Sequence, residues 1–295
     1  MPRIALNGLG RIGKPVRRNL INLGARAEMA LLNDPAGDAE QHALILNGQR
    51  IPLTHAKTIE AVALADLGVD PVIDCSGVFK TWAMVAPCHA AGVTAVVVCA
   101  PVKDGGALNP VHGVNHHLYD SSQRLATAAF CTTICLAPVV KVSHEALDFR
   151  QGSITTIHDV TNTRTIVDRP ARDPRRARSA LLNLIPTTSG SATAIAMIYP
   201  ELKGRLNGHA VRVPLLNASL TDCVYEVERP TKVDEINALF KAAASGPLRG
   251  ILGCKSRALV SSDFTNDPRP AIIDAQSTMV VNGTQVKIYA WYDTE

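Results

Sequence analysis

Aromatic side chains are scarce: they make up 4% of the 295 residues, with only two tryptophans. That leaves little for nucleic-acid bases to stack on, and a net charge of +4 supplies no strong field, so no nucleic-acid partner is expected. No apolar run approaches the length that spans a bilayer, so no membrane partner is expected either. The first residues, Met1-Pro2-Arg3-Ile4-Ala5-Leu6-Asn7, lack a charged segment followed by an apolar one and lead straight into a strand. The seven cysteines are odd in number and have no framework spacing, which argues against a disulfide scaffold and fits a reducing compartment. The nine histidines never pair with cysteines at zinc-ligand spacing. What is present, 46% hydrophobic and 19% charged residues, describes a globular chain long enough for two domains. A cytoplasmic protein that holds no metal is the expectation.

The first half alternates strand and helix. Arg3 to Asn7 is an apolar run ending in Gly8-Leu9-Gly10-Arg11-Ile12-Gly13, followed by an amphipathic stretch from Lys14. A second apolar run, Ala27 to Leu32, ends at Asn33-Asp34. A glycine-rich turn alone is weak evidence, but strand, turn, helix, strand and acid together form the context a dinucleotide fingerprint needs. Gly8 allows the tight turn, Gly10 lets backbone approach a pyrophosphate, and Gly13 lets helix and strand pack closely. Helix N–H groups are left to bind phosphate. Asp34 falls about 20 residues past the glycines, where a carboxylate accepts from ribose hydroxyls and repels a 2′-phosphate, favouring NAD over NADP. Thr58 to Leu67 reads as a helix, Pro71 to Cys75 as a strand, Trp82 to Ala91 as a helix and Val93 to Cys99 as a strand. Ligands in parallel sheets sit outside the carboxyl ends of the strands. Ser76, Gly77 and Cys99 occupy such ends and are candidates to line a cofactor site, or else belong to ordinary strand-end turns.

Cys131 stands where an extended run, Arg124 to Ala129, becomes a helix carrying Ile134, Leu136, Val139, Val140 and Val142. The positive end of a helix favours a thiolate, so Cys131 is a candidate nucleophile, although free cysteines are more often small buried residues. Pro138 is expected to kink or distort the start of that helix. Beyond it the strands lengthen and alternate, and Asn282-Gly283 between two β-rich arms is a strong hairpin signal. An antiparallel sheet faced by helices follows, with the domain boundary close to Cys131. His158, on a strand, is the histidine to pair with Cys131 as its base, unless it is merely structural. His116 and His117 read as surface residues of a turn. The arginines from Arg164 to Arg178 form a basic loop leading into a helix begun by Asp173-Pro174, either a solvated cluster or a surface for anions or a neighbouring subunit.

Asn7-Gly8-Leu9-Gly10-Arg11-Ile12-Gly13, Cys131-Thr132-Thr133, Asn183-Leu184-Ile185-Pro186-Thr187-Thr188, the stretch Pro200 to Gly208 and the ending Trp291-Tyr292-Asp293 together resemble the glyceraldehyde-3-phosphate dehydrogenase family over nearly the whole chain. Asn33 to Asp38, Ile157 to Thr163 and Ser189 to Ala194 further resemble a branch associated with arsenic-resistance operons. The resemblance implies a Rossmann-type α/β domain over residues 1–130, holding NAD. An α+β catalytic domain with a mainly antiparallel sheet would follow over residues 131–295. It implies that Cys131 attacks the aldehyde of glyceraldehyde 3-phosphate, that His158 activates the thiol, and that phosphate cleaves the resulting thioester. In the arsenic branch arsenate replaces phosphate and gives 1-arseno-3-phosphoglycerate. By the same resemblance Arg11, Ile12, Asp34 and Ser76 contact NAD, and Thr161, Thr163 and Arg212 hold the substrate phosphate. Thr132, Ser189 and Gly190 match the site of the attacking anion, and a homotetramer is implied.

The chain departs from the family pattern at Phe130, where serine is usual, and at Ile134 and Thr294, where asparagine is usual. The region between Asp38 and Asn47 looks shorter than in the family, and Glu295 falls before an expected C-terminal helix. An NAD-binding chain without turnover, acting as a partner subunit or remnant, is the alternative; a semialdehyde dehydrogenase of similar architecture is a third.

Overall fold

A computed structural model of the chain describes residues 1–22, 27–36, 43–46, 48–100, 102, 107–128, 130–161 and 165–295. The chain divides into two compact units, Met1–Val111 with His116–Ala129, and His112–Asn115 with Phe130–Glu295. Residues 112–115 belong to the second because Gly113 (φ +80°) packs against Ile251 and Leu248; a Cβ there would lie 2.4 Å from Ile251 Cδ1.

The first unit is a seven-stranded sheet. Its strands are β1 (Arg3–Asn7), β2 (Glu28–Asn33), β3 (Ala43–Leu46), β4 (Gln49–Thr54), β5 (Pro71–Asp74), β6 (Ala95–Val98) and β7 (Leu125–Thr127), in the order β3-β4-β2-β1-β5-β6-β7. All pairings are parallel except the β3–β4 hairpin. Among the described residues two helices belong to this unit, α1 (Gly13–Asn22) and α2 (Trp82–Ala90). The central strands are apolar runs because such strands are covered on both faces; Leu6, Leu32, Val72, Val96 and Val98 are fully buried. The chain leaves β1 for β2 on one side and reaches β5 on the other, so the strand order reverses where β1 and β5 lie side by side. Residues 58–67, expected as a helix, form only a short 3-10 turn, Ile59–Ala61, followed by turns. Thr58 gives that turn no side-chain cap, and Ile59, Val62 and Leu64 reach the core from irregular backbone.

The second unit is the expected α+β arrangement. Its helices are α3 (Cys131–Leu147), α4 (Ser191–Ile198) and α5 (Val233–Ser245). Its strands are β8 (Phe149–His158), β9 (Ile185–Thr188), β10 (Leu206–Arg212), β11 (Ser219–Val227), β12 (Leu252–Lys255), β13 (Ala271–Asp274), β14 (Met279–Val281) and β15 (Gln285–Tyr292). The sheet runs β12-β13-β15-β11-β8-β10-β9, with β14 paired to β15. It is antiparallel apart from β8–β10 and β12–β13. Asn282 (φ +50°) and Gly283 (φ +78°) turn β14 into β15, the paired positive φ of a type I′ hairpin. Helix α3 runs through Pro138 to Leu147, with the proline buried.

Candidate active site

In the first unit, the carboxyl ends of β1, β2 and β5 are joined by buried polar side chains. Asn33 Nδ2 donates to Asn7 Oδ1 at 2.8 Å, and Asn7 Nδ2 donates to Asp74 Oδ1 at 2.7 Å. Ser76, just past β5, donates its hydroxyl to the same Asp74 oxygen at 2.7 Å. Burial pushes the Asp74 pKa up, against the hydrogen bonds from Ser76 and Asn7 that pull it down. Over this base lies the glycine turn. Gly8 takes φ +92° and donates its N–H to the Asn33 carbonyl at 2.7 Å. A Cβ on Gly13 would sit 1.9 Å from the Gly8 carbonyl oxygen, so α1 meets the turn more closely than any side chain allows. A Cβ on Gly10 would meet nothing within 4 Å among the described residues. That is the shape a pyrophosphate needs: a closed turn, open space above its middle glycine, and a helix N-terminus behind it.

The other cofactor candidates lie in the same unit. Arg11 and Ile12 are half-buried in the turn, and Asp34 is half-buried just past β2, its carboxylate accepting from the Ala36 N–H at 3.0 Å. Cys99 follows β6, its sulfur 3.4 Å from that of Cys75. The Cys75 thiol donates to Cys99, which lowers the Cys99 pKa and raises its own.

In the second unit, Phe130 is extended (φ −105°, ψ 146°) and its carbonyl takes the first helical bond, from Ile134 N–H at 2.9 Å. The N–H groups of Cys131, Thr132 and Thr133 precede that bond and have no partner within the helix. Cys131 is half-buried at this terminus. His158 ends β8, and its Nε2 stands 3.5 Å from the Cys131 sulfur. Its Nδ1 lies 2.6 Å from Asp159 Oδ1 and 2.6 Å from Arg212 Nη1. Arg212 ends β10 in parallel register with His158 and also donates to the Asp159 carbonyl at 3.0 Å. Burial disfavours charge on His158, but the hydrogen bonds to Asp159 and Cys131 outweigh it and raise the pKa. Burial lowers that of Arg212. Asp159 had no role in the sequence reading, which took His158 as the sole partner of the cysteine.

One turn along α3, Cys135 is fully buried, and burial pushes its thiol pKa well up. Iodoacetamide at neutral pH is expected to label Cys131 at least about 100-fold faster than Cys135, since only accessible thiolate reacts. Peptide mass spectrometry over a time course measures this, and equal labelling rates contradict it.

The anion-site candidates gather at two helix starts. Ser189 and Gly190 precede α4, where Ser189 Oγ bonds Ser191 Oγ at 3.1 Å. A Cβ on Gly190 would lie 3.5 Å from the Phe130 ring, so the starts of α3 and α4 are neighbours. Thr132 is buried, its hydroxyl 2.8 Å from that of Tyr292, which leaves its backbone N–H as the group to offer an anion. Thr161 is half-buried beyond β8, and Thr163 and Arg164 lie outside the described residues, as do residues 37–42 and 47. Asp173 caps a short 3-10 turn, Pro174–Ala177, in place of the expected helix. Arg178 pairs with Asp168 at 2.8 Å, and Arg176 with Asp173 at 3.3 Å. Among the described residues, no helix is long and apolar enough to cross a membrane.

A parallel-sheet unit with a glycine turn, and an α+β unit that sets a cysteine beside a histidine, are the architecture of the two-domain dehydrogenases. Residues 130–294 match the family described as glyceraldehyde 3-phosphate dehydrogenase, C-terminal domain. Glyceraldehyde-3-phosphate dehydrogenase 3 of Nostoc sp. is 54% identical over 316 aligned positions, covering 99% of this chain and 94% of the relative. Glyceraldehyde-3-phosphate dehydrogenase 1 of Bacillus cereus is 40% identical over 318, covering 100% and 94%, and the Geobacillus stearothermophilus enzyme is 39% identical over 314, covering 99% and 93%. The chain belongs to the glyceraldehyde-3-phosphate dehydrogenase family.

Proposed function

We propose that this chain oxidises glyceraldehyde 3-phosphate with NAD through a Cys131 thioester, which an inorganic oxyanion then cleaves. The 3.5 Å approach of His158 Nε2 to the Cys131 sulfur carries the reading. His158 takes the thiol proton, and the thiolate adds to the aldehyde carbon to give a hemithioacetal. The imidazolium and the N–H groups at the start of α3 face the developing oxyanion. NAD, when bound, accepts the hydride that leaves this carbon, and Cys131 is left carrying the acyl group. Gly8, Gly10, Arg11, Ile12, Gly13, Asp34, Ser76 and Cys99 hold the dinucleotide. Thr161, Thr163 and Arg212 hold the substrate phosphate, Arg212 by its guanidinium.

The attacking oxyanion is taken at Thr132, Ser189 and Gly190. Phosphate and arsenate share tetrahedral shape and charge, so backbone donors at two helix starts serve either, and arsenate yields 1-arseno-3-phosphoglycerate. The resemblance of three segments to the arsenic-resistance branch supports arsenate as a natural substrate. The protein works as a cytoplasmic homotetramer. NADH absorbance in the presence of glyceraldehyde 3-phosphate, NAD and either oxyanion tests the proposal; both are expected to support turnover, and each oxyanion's KM ranks them. No NADH from folded protein that binds NAD would leave a dinucleotide-binding chain without turnover.

A further inference from the structure

We infer that Asp159 is a positioning residue that makes Cys131 and His158 a three-member relay, fixing the His158 tautomer so that Nε2 is the nitrogen that takes the cysteine proton. The inference rests on the reading of Cys131 as nucleophile. Asp159 is fully buried, with Oδ1 2.6 Å from His158 Nδ1. Its position is fixed from the other side: Ser219 Oγ donates to Asp159 Oδ1 at 3.3 Å and accepts the Asp159 N–H at 3.1 Å. Ser219 in turn meets the Thr294 hydroxyl at 3.1 Å. A carboxylate so placed accepts Nδ1–H, which leaves Nε2 bare toward the sulfur and stabilises the imidazolium once it forms.

The groups facing His158 are Cys131 from α3, Arg212 from β10, Tyr292 from β15 and Asp159 itself. The Asp159 backbone carbonyl also lies 3.0 Å from Nδ1 and favours the same tautomer as its carboxylate, while only the carboxylate adds charge to stabilise the imidazolium. Tyr292 presents its ring edge-on at 6.1 Å and is buried. Arg212 is the competitor. Its Nη1 reaches the same Nδ1 at 2.6 Å, and it can donate there only if that nitrogen carries no proton. The two neighbours therefore select opposite tautomers. With Asp159 as partner, Nε2 is the base; with Arg212 as partner, Nε2 carries the proton and cannot take another. An anion drawn to Arg212 favours the first state. The rival view, in which Asp159 only neutralises buried Arg212, leaves the cysteine chemistry independent of Asp159.

The test uses the full chain without cofactor or substrate. The rate of Cys131 alkylation by iodoacetamide is followed across pH by peptide mass spectrometry. In Asp159→Asn the rate at neutral pH is expected to fall about tenfold, and its rise to move to more alkaline pH, as loss of one charge from a buried pair implies. Asp159→Glu is expected to regain part of the rate. Added to His158→Gln, Asp159→Asn is expected to change nothing further, because the carboxylate acts through the imidazole. An unchanged profile in Asp159→Asn protein with a normal unfolding transition overturns the inference. If that variant does not fold, Asp159→Ser, which also removes the carboxylate and keeps the backbone carbonyl at Nδ1, takes its place in the same alkylation profile. An unchanged profile there, or a bare Nδ1 in the ¹⁵N shifts of the unmodified chain, overturns the relay. Normal NADH formation with an unchanged profile defeats the relay alone. A shifted profile in protein that binds NAD without turning over defeats the dehydrogenase reading and keeps the relay.

Discussion

Cys131→Ser is expected to lower the rate of NADH formation by about 10⁴-fold or more, the scale seen when a covalent nucleophile is removed. The change is nearly isosteric, but a hydroxyl is far more reluctant to ionise than a thiol, and a histidine at 3.5 Å does not close that gap. Because Cys131 is half-buried at a helix start, the substitution should leave stability within about 0.5 kcal/mol of the parent. NAD binding by calorimetry should persist. Cys135→Ser is the internal contrast. That sulfur is fully buried, accepting from the Thr221 hydroxyl at 3.9 Å and lying 4.0 Å from the Ala290 carbonyl, distances set by a sulfur and longer than a hydroxyl bridges. Replacing a buried thiol by a more polar hydroxyl, even one that turns back to its own helix as Ser143 does to the Val139 carbonyl, costs about 1 kcal/mol, so Cys135→Ser should unfold at lower temperature yet turn over normally per folded molecule. Retained turnover in Cys131→Ser, or its loss in folded Cys135→Ser, would exchange the roles of the two sulfurs.

The two units differ in how openly their sequences announce them. In the first, apolar runs of strand length broken by glycine and acid give both the parallel sheet and the turn, because burial on two faces and a φ of +92° at Gly8 leave few alternatives. The buried chain Asn33–Asn7–Asp74 was out of reach: its last link joins residues 67 apart, and a polar end to an apolar strand carries no mark of its partner. Residues 58–67 misled because helical spacing of apolar residues also serves a chain folding back on a core in turns. In the second unit the local setting of Cys131 and a strand-borne histidine to pair with it were readable, but distance along the sequence could not show that the two side chains meet. Asp159 was invisible for a different reason. Neighbours along a strand point to opposite faces, so a residue beside His158 reads as facing away. Strand β8 ends at His158, and the freed backbone lets Asp159 return to the same nitrogen.

Gly13→Ala is expected to abolish measurable NAD binding and lower the unfolding temperature by several degrees. The added methyl would lie 1.9 Å from the Gly8 carbonyl oxygen and 2.9 Å from its carbon. Both are backbone atoms, so no side-chain rotation relieves the clash, and α1 must move off the turn. Overpacking of this kind costs about 1–3 kcal/mol, and for a chain of this size each kcal/mol corresponds to about 2–4 °C. Lost binding alone would not distinguish a ruined fold from a ruined site, and Gly10→Ala separates them. A methyl at Gly10 meets no heavy atom of the described residues within 4 Å, so stability should be unchanged within about 0.5 kcal/mol. If a pyrophosphate occupies the space above the turn, that methyl stands in its way, and calorimetry should show NAD binding weakened by about tenfold or more. A Gly10→Ala chain that binds NAD as tightly as the parent would mean the open space above the turn is not where the dinucleotide sits, however well the glycines fit the fingerprint.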